Sequence, residues 1–289
     1  MRRFAILGSI AVLGLAVAGL GTSAPSQPTL IGKCAKANLD LYEDGKLTLA
    51  TDNPAFPPWW GGKAGHGFET SDPYSGQGYE SAVAYEVAKR LGFTRAEVTW
   101  KAVPFTKSYA PGKKTFDWYI AQVSYAPVRA KAVDFSNSYY FVNQAVVGIK
   151  GTPITKAKSL VALKPYTLGA AIGTTSYNYI TRFIRPSEKP KVYDTNNDAV
   201  TALKNKQIDG LVVDFPSTGY ITGVQVPTAT VVGRLPTKGT RERFGMVFEK
   251  GNTLVGCVNH ALTQLKHDGT LQQIQEKWLA KVGNAPILH

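Results

Sequence analysis

A chain of 289 residues is long enough for two domains or lobes, each with its own core. Its 44% hydrophobic and 18% charged residues are those of a globular protein and exclude a disordered one. The net charge of +13 would suit nucleic acid, but the basic residues are scattered, with no basic–aromatic run and no zinc-finger spacing. The charge therefore reads as a solubility feature, and nucleic acid is not expected as a partner.

Residues 1–24 carry Arg2 and Arg3, then an apolar run from Phe4 to Leu20, then small residues at Ala16-Val17-Ala18 and Thr22-Ser23-Ala24. That is the pattern of an export signal, with an uncleaved membrane anchor as the other reading. Lys33 before Cys34 argues against lipid attachment. Residues 25–39 read as a tether. Cys34 and Cys257 are the two cysteines, and in an exported chain two suggest one disulfide. Cys257, His260 and His267 share a helix face, but no further ligands complete a metal site, so neither metal nor cofactor is expected.

Lys46–Asp52 alternates as a first strand should, and runs into an aromatic loop stiffened by Pro54, Pro57 and Pro58. Residues 63–77 read as a polar surface loop. Gly78–Leu91 is helical by its stripe of Val83, Val87 and Leu91, with Gly92 placed to stop it. Strands are expected at Val98–Val103, Phe116–Ser124 and Ala145–Lys150, the last leading to a crossing at Gly151-Thr152-Pro153. A strand at 166–172, a helix to about Ile184, a strand at Lys191–Tyr193, a helix at 197–206 and a strand at Ile208–Asp214 make a βαβαβ unit. Val231–Leu235, Phe244–Lys250 and two helices parted by Gly269 complete the chain.

Two strand-to-helix junctions stand out, because such turns expose backbone N–H groups and the positive end of a helix dipole. At the first, Pro127 suits the opening of a helix and Arg129 lies in its first turn, where a guanidinium can grip a carboxylate with two hydrogen bonds. The second is Gly173-Thr174-Thr175-Ser176. Asp214 ends a strand, where ligands meet open α/β sheets.

In register, ATDNPAFPPW (50–59), GYESAVAYEVAKRLG (78–92), VPFTK (103–107), SYAPVRAKAVDFSNSYY (124–140), GTTS (173–176), IDGLVVD (208–214), FGMVFEKGN (244–252) and DGTLQQIQEKW (268–278) resemble the family 3 extracellular solute-binding proteins, receptors of polar amino acid ABC importers. The resemblance covers about residues 45–282. It implies a type II periplasmic-binding-protein fold: two α/β lobes joined by two crossing strands, with the ligand in the cleft between them. Lobe 1 is then 40–149 plus 237–285, and lobe 2 is 150–236. Carried over by position, Arg129 and the Ser124 region would take a ligand α-carboxylate and Asp214 its ammonium. Thr174 and Thr175 would contribute from lobe 2, Phe56 and Phe105 would sandwich the side chain, and Asp52 would meet its polar end. Ala126 and Val128 depart from the family's Thr and acidic residue, leaving the helix start without a side-chain cap.

The resemblance also implies a monomeric, exported, periplasmic or extracellular receptor that serves a membrane permease and is not an enzyme. The alternative is a cyclohexadienyl or arogenate dehydratase on the same fold, for which Glu69 and Glu80 would be the acids. The ligand's identity is not readable.

Overall fold

The computed structural model describes residues 32–280 and 283–289; the expected export signal and the first part of the tether, 25–31, lie outside them. In chain order come β1 (Leu47–Thr51), α1 (Tyr79–Arg90), β2 (Val98–Ala102), α2 (Phe105–Ser108), β3 (Trp118–Tyr119), α3 (Pro127–Ala130), β4 (Val133–Phe135) and β5 (Tyr140–Phe141). Next are β6 (Gln144–Ile149), β7 (Leu168–Ala171), α4 (Thr175–Tyr179), β8 (Lys191–Tyr193), α5 (Asn196–Lys204), β9 (Gly210–Asp214), α6 (Ser217–Tyr220) and β10 (Ala229–Arg234). The chain closes with β11 (Arg243–Phe244), β12 (Val247–Glu249), α7 (Leu254–His267) and α8 (Thr270–Leu279).

Two five-stranded sheets form two lobes. The first has the order β2-β1-β3-β12-β4 and the second β10-β6-β9-β7-β8. Strand alternation divides each sheet between two cores. In β1, Leu47 and Leu49 face the layer that contains α1, α7 and α8, while Ala50 faces a smaller cluster with Phe116, Tyr119 and Val123. In β9, Leu211 and Val213 face the side of α5, and Val212 faces the side of Ile180 and Ile184. The βαβαβ unit is present: β7 pairs in parallel with both β8 and β9. Thr195 and Asp198 cap α5 reciprocally.

Three expectations need correction. Residues 144–149 do not end the first lobe. β6 lies inside the second sheet, antiparallel to β9 and β10, so the chain has already crossed by Gln144. The crossing is instead the antiparallel ribbon of β5 with β11, where Tyr140 faces Phe244 and Phe141 faces Arg243. Gly151-Thr152-Pro153 is only the turn after β6. The expected strand 116–124 keeps two laddered residues, because Gln122 turns to φ 51 and gives its N–H to Glu80, not to a neighbouring strand. The expected strand 244–250 is split between the ribbon and the first sheet.

Cys34 and Cys257 are bonded, Cα–Cα 5.3 Å, fastening the start of the described chain to α7. This removes Cys257 from the metal reading, and no cluster among the described residues is placed to hold a metal. Among the described residues no helix is long and apolar enough to cross a membrane.

The last residues do something not expected. They return to the second lobe and run beside β10, with Ile287 bridged in parallel to Arg234. Arg234 N–H donates to Pro286 O (2.7 Å), Leu288 N–H to Arg234 O (2.9 Å), and Leu160 N–H to His289 O (3.0 Å). Leu288 is buried against Gly233, where an added Cβ would sit 2.6 Å from a Leu288 methyl.

Candidate functional site

Between the lobes lies a cavity of about 170 Å³. Asp52, Phe56, Phe105, Ser124, Arg129, Thr174, Thr175 and Asp214 all line it, so the carried-over residues meet in one place. They arrive from strand ends and helix starts, as open α/β sheets present their ligand groups. Asp52 directly follows β1 and Asp214 ends β9. Phe105 opens α2, Arg129 lies in α3, and Thr174 and Thr175 open α4.

Arg129 is buried at 7% exposure, and one terminal nitrogen donates to Ser124 O at 2.6 Å. The other donates to Gly173 O at 2.7 Å, across the cleft. Its guanidinium lies 4.4 Å from the ring centroid of Tyr109 and 5.5 Å from that of Phe105. Burial lowers its pKa, while Tyr109, Glu242 and Asp214 favour the charged form. A cation so placed, with further N–H groups, is built to meet an anion. Gly173, at φ 71, is required here: an added Cβ would fall 2.5 Å from the Tyr109 hydroxyl.

The other pole is acidic. Asp214 accepts from Gln144 Nε2 at 2.6 Å. Burial first, then the nearby Glu242 carboxylate, push its pKa well above the carboxylate range. Asp52 also lines the cavity, and burial pushes its carboxyl up to about 6. Phe56 contacts Tyr220 of the opposite lobe, ring centroids 5.9 Å apart, and supplies an apolar wall together with Phe105.

The threonines divide the work at α4. Thr174 is the N-cap: its hydroxyl accepts from Tyr177 N–H at 3.2 Å and donates to Ala171 O at 2.7 Å. Thr175 Oγ1 and Ser124 Oγ, from opposite lobes, both donate to Glu242 Oε1 at 2.5 Å. The sequence reading missed Glu242, because Arg241-Glu242-Arg243 has the composition of a solvated turn. It also missed Gln144, a buried amide that begins β6 and touches both carboxylates. A polar residue at the head of an otherwise apolar strand was the only available signal.

The two acids of the enzyme alternative are placed elsewhere. Glu80 is fully buried behind the wall, accepting from Gln122 N–H at 2.7 Å and also bonded to the Gln122 amide and the Tyr139 hydroxyl. Glu69 is exposed on the 63–77 loop and does not line the cavity. The aromatics of that loop, Phe68 and Tyr74, pack into the first lobe.

The profile of the bacterial extracellular solute-binding proteins, family 3, matches residues 63–281. The L-cystine-binding protein TcyJ of Escherichia coli (strain K12) is 27% identical over 278 residues, covering 96% of this chain and 95% of that protein. The ABC transporter arginine-binding protein 1 of the same strain is 29% identical over 209 residues, 70% of this chain and 81% of that one. A solved structure of an ancestral arginine-binding protein bound to glutamine superposes with a TM-score of 0.67 at 29% identity, covering 82% of this chain and 99% of its own. These relatives are named as binding proteins, in keeping with a cleft that gathers charged and apolar walls but holds neither Glu69 nor Glu80 as a free acid. Two lobes, a two-strand crossing and a matched profile over three quarters of the sequence lead to one assignment: the chain belongs to the bacterial extracellular solute-binding proteins, family 3.

Proposed function

We propose that this protein captures a free amino acid in the interlobe cleft, as an exported monomer, and delivers it to the membrane permease of an ABC importer. The observation that carries the reading is the presence of one buried guanidinium and one half-buried carboxylate, Arg129 and Asp214, on opposite lobes of a single cavity. A zwitterion removed from water needs a fixed cation, a fixed anion and apolar walls together. Arg129 takes the carboxylate, with backbone N–H groups at the start of α4. Asp214 takes the ammonium. Phe56 and Phe105 flank the side chain, and Asp52 faces its far end. The names of the relatives, which specify cystine, arginine and glutamine, support an amino acid as the ligand class.

Calorimetry against the twenty common L-amino acids and L-cystine tests the reading. At least one should bind. Arg129→Ala and Asp214→Asn each leave a buried charge of the bound ligand unpaired, a loss of roughly 3–5 kcal/mol, or about two to four decades in affinity. Arg129→Lys should recover only part of the loss, since an ammonium cannot reproduce the two-pronged grip. Binding by both variants within threefold of wild type would sink the proposal.

A further inference from the structure

Glu242 lies on the segment that returns from the second lobe to the first, just ahead of Arg243, where β11 of the hinge ribbon begins. Its Oε1 is the shared acceptor of Ser124 Oγ and Thr175 Oγ1. Its Oε2 takes a hydrogen bond of 3.0 Å from Gln144 Nε2, the same nitrogen that donates 2.6 Å to Asp214 Oδ1. The Gln144 amide cannot turn over freely, because its Oε1 accepts from Ser176 Oγ at 2.7 Å. Two carboxylates therefore share one amide NH₂. The hydroxyls beside them have committed their hydrogens to Glu242 and present lone pairs, so this wall of the cleft offers acceptors to a ligand.

We propose that Glu242 is a specificity-determining residue of the cleft: with Asp214 it forms a two-carboxylate pole that selects a ligand bearing a free ammonium group. The inference rests on the amino-acid reading above and deepens it. Burial, and then the Glu242 carboxylate beside it, hold the Asp214 carboxyl above its ordinary range, so without a cation it favours the protonated form. Arrival of an ammonium reverses that balance, Asp214 ionises, and its proton passes to the buffer. The other charged and titratable groups facing the pair are Arg129 from α3, which favours ionisation, and Glu80 from α1, which opposes it. Tyr140 from β5 also faces Asp214, and the charge of Arg241 acts on Tyr140 in turn.

The experiment uses the full chain and the strongest binder among the twenty amino acids and cystine, together with its N-acetyl derivative. Calorimetry at pH 7 in phosphate and in Tris, buffers of different ionisation heat, counts the protons exchanged. Wild type should release a measurable fraction of one proton per molecule bound, bind more tightly as pH rises, by up to about tenfold per pH unit, and reject the N-acetyl form. Glu242→Gln should release fewer protons than wild type, show a shallower rise of affinity with pH, and bind roughly tenfold or more weakly. Should Glu242→Gln fail to fold, Glu242→Ala takes its place with the same expectation. Equal apparent heats in the two buffers, or undiminished proton release and wild-type affinity in the Glu242 variant, overturns the inference while leaving the receptor reading intact. No binding by any probe overturns both.

Discussion

Glu80 shows how a residue outside the cavity can set the cavity's shape. Its carboxylate takes the N–H and the side-chain amide of Gln122, holding that residue at φ 51 in the cleft wall, and it bonds the Tyr139 hydroxyl. Burial pushes its pKa from 4.5 up to about 7, against the lowering effect of those three bonds. Between these two values the folded chain holds more protons than the unfolded one, so stability falls as pH rises through the window. The loss from Glu80 is on the order of 3 kcal/mol. Asp117 and Asp52, each pushed up to about 6 by burial, act in the same direction over a lower range. Melting of the ligand-free protein should therefore drop from pH 5 to pH 8, and Glu80→Gln should flatten the part between pH 6 and 8. A pH-independent melting temperature in wild type would contradict the buried carboxyl. The residue-level reading reached Arg129 and Asp214 because strand-to-helix junctions are visible as local patterns. Glu242 and Gln144 were hidden because their meaning comes from partners 31 to 118 positions away.

At the scale of elements, short-range patterns carried the reading well and long-range pairing did not. β1, β2, β8 and the helices α1, α5, α7 and α8 follow from alternation and stripes that each occupy one segment. The position of β6 could not follow from its own sequence, since an apolar strand looks the same in either sheet. Only its ladders with β9 and β10 decide. The closing segment at 283–289 is a further case, too short for a periodic signal, yet it docks beside β10 and buries Ala285 and Leu288. Leu288 joins a core with Val146, Val212 and Leu235. Leu288→Ala should cost about 2–4 kcal/mol through lost burial and the cavity left behind. Urea unfolding at fixed pH measures it, and a change under about 0.5 kcal/mol would mean the segment does not hold its place in solution.

The two lobes are closed on one another, and the closure rests on a few identifiable contacts. Trp59 Nε1 donates to Ser217 Oγ at 2.9 Å, Arg129 reaches Gly173 O, and Ser124 and Thr175 meet on Glu242. Against these stand three passages of chain between the lobes, the β5/β11 ribbon and the closing segment, which limit how far the lobes can part. A ligand held by residues of both lobes favours the closed form by its differential affinity, so binding and closure are expected to be coupled. Ser217→Ala removes one closing bond without touching the cavity wall, since Ser217 does not line it. Such a neutral hydrogen bond is worth roughly 0.5–1.5 kcal/mol, which corresponds to an affinity loss of about two- to twelvefold. The loss should fall on the dissociation rate, because the bond forms after encounter. Stopped-flow tryptophan fluorescence, to which Trp59 contributes, reads both rates. Small-angle scattering should show wild type contracting at ligand saturation, and Ser217→Ala should need more ligand for the same contraction. An unchanged radius of gyration at saturation, or a Ser217→Ala effect confined to the association rate, would remove hinge closure from the mechanism.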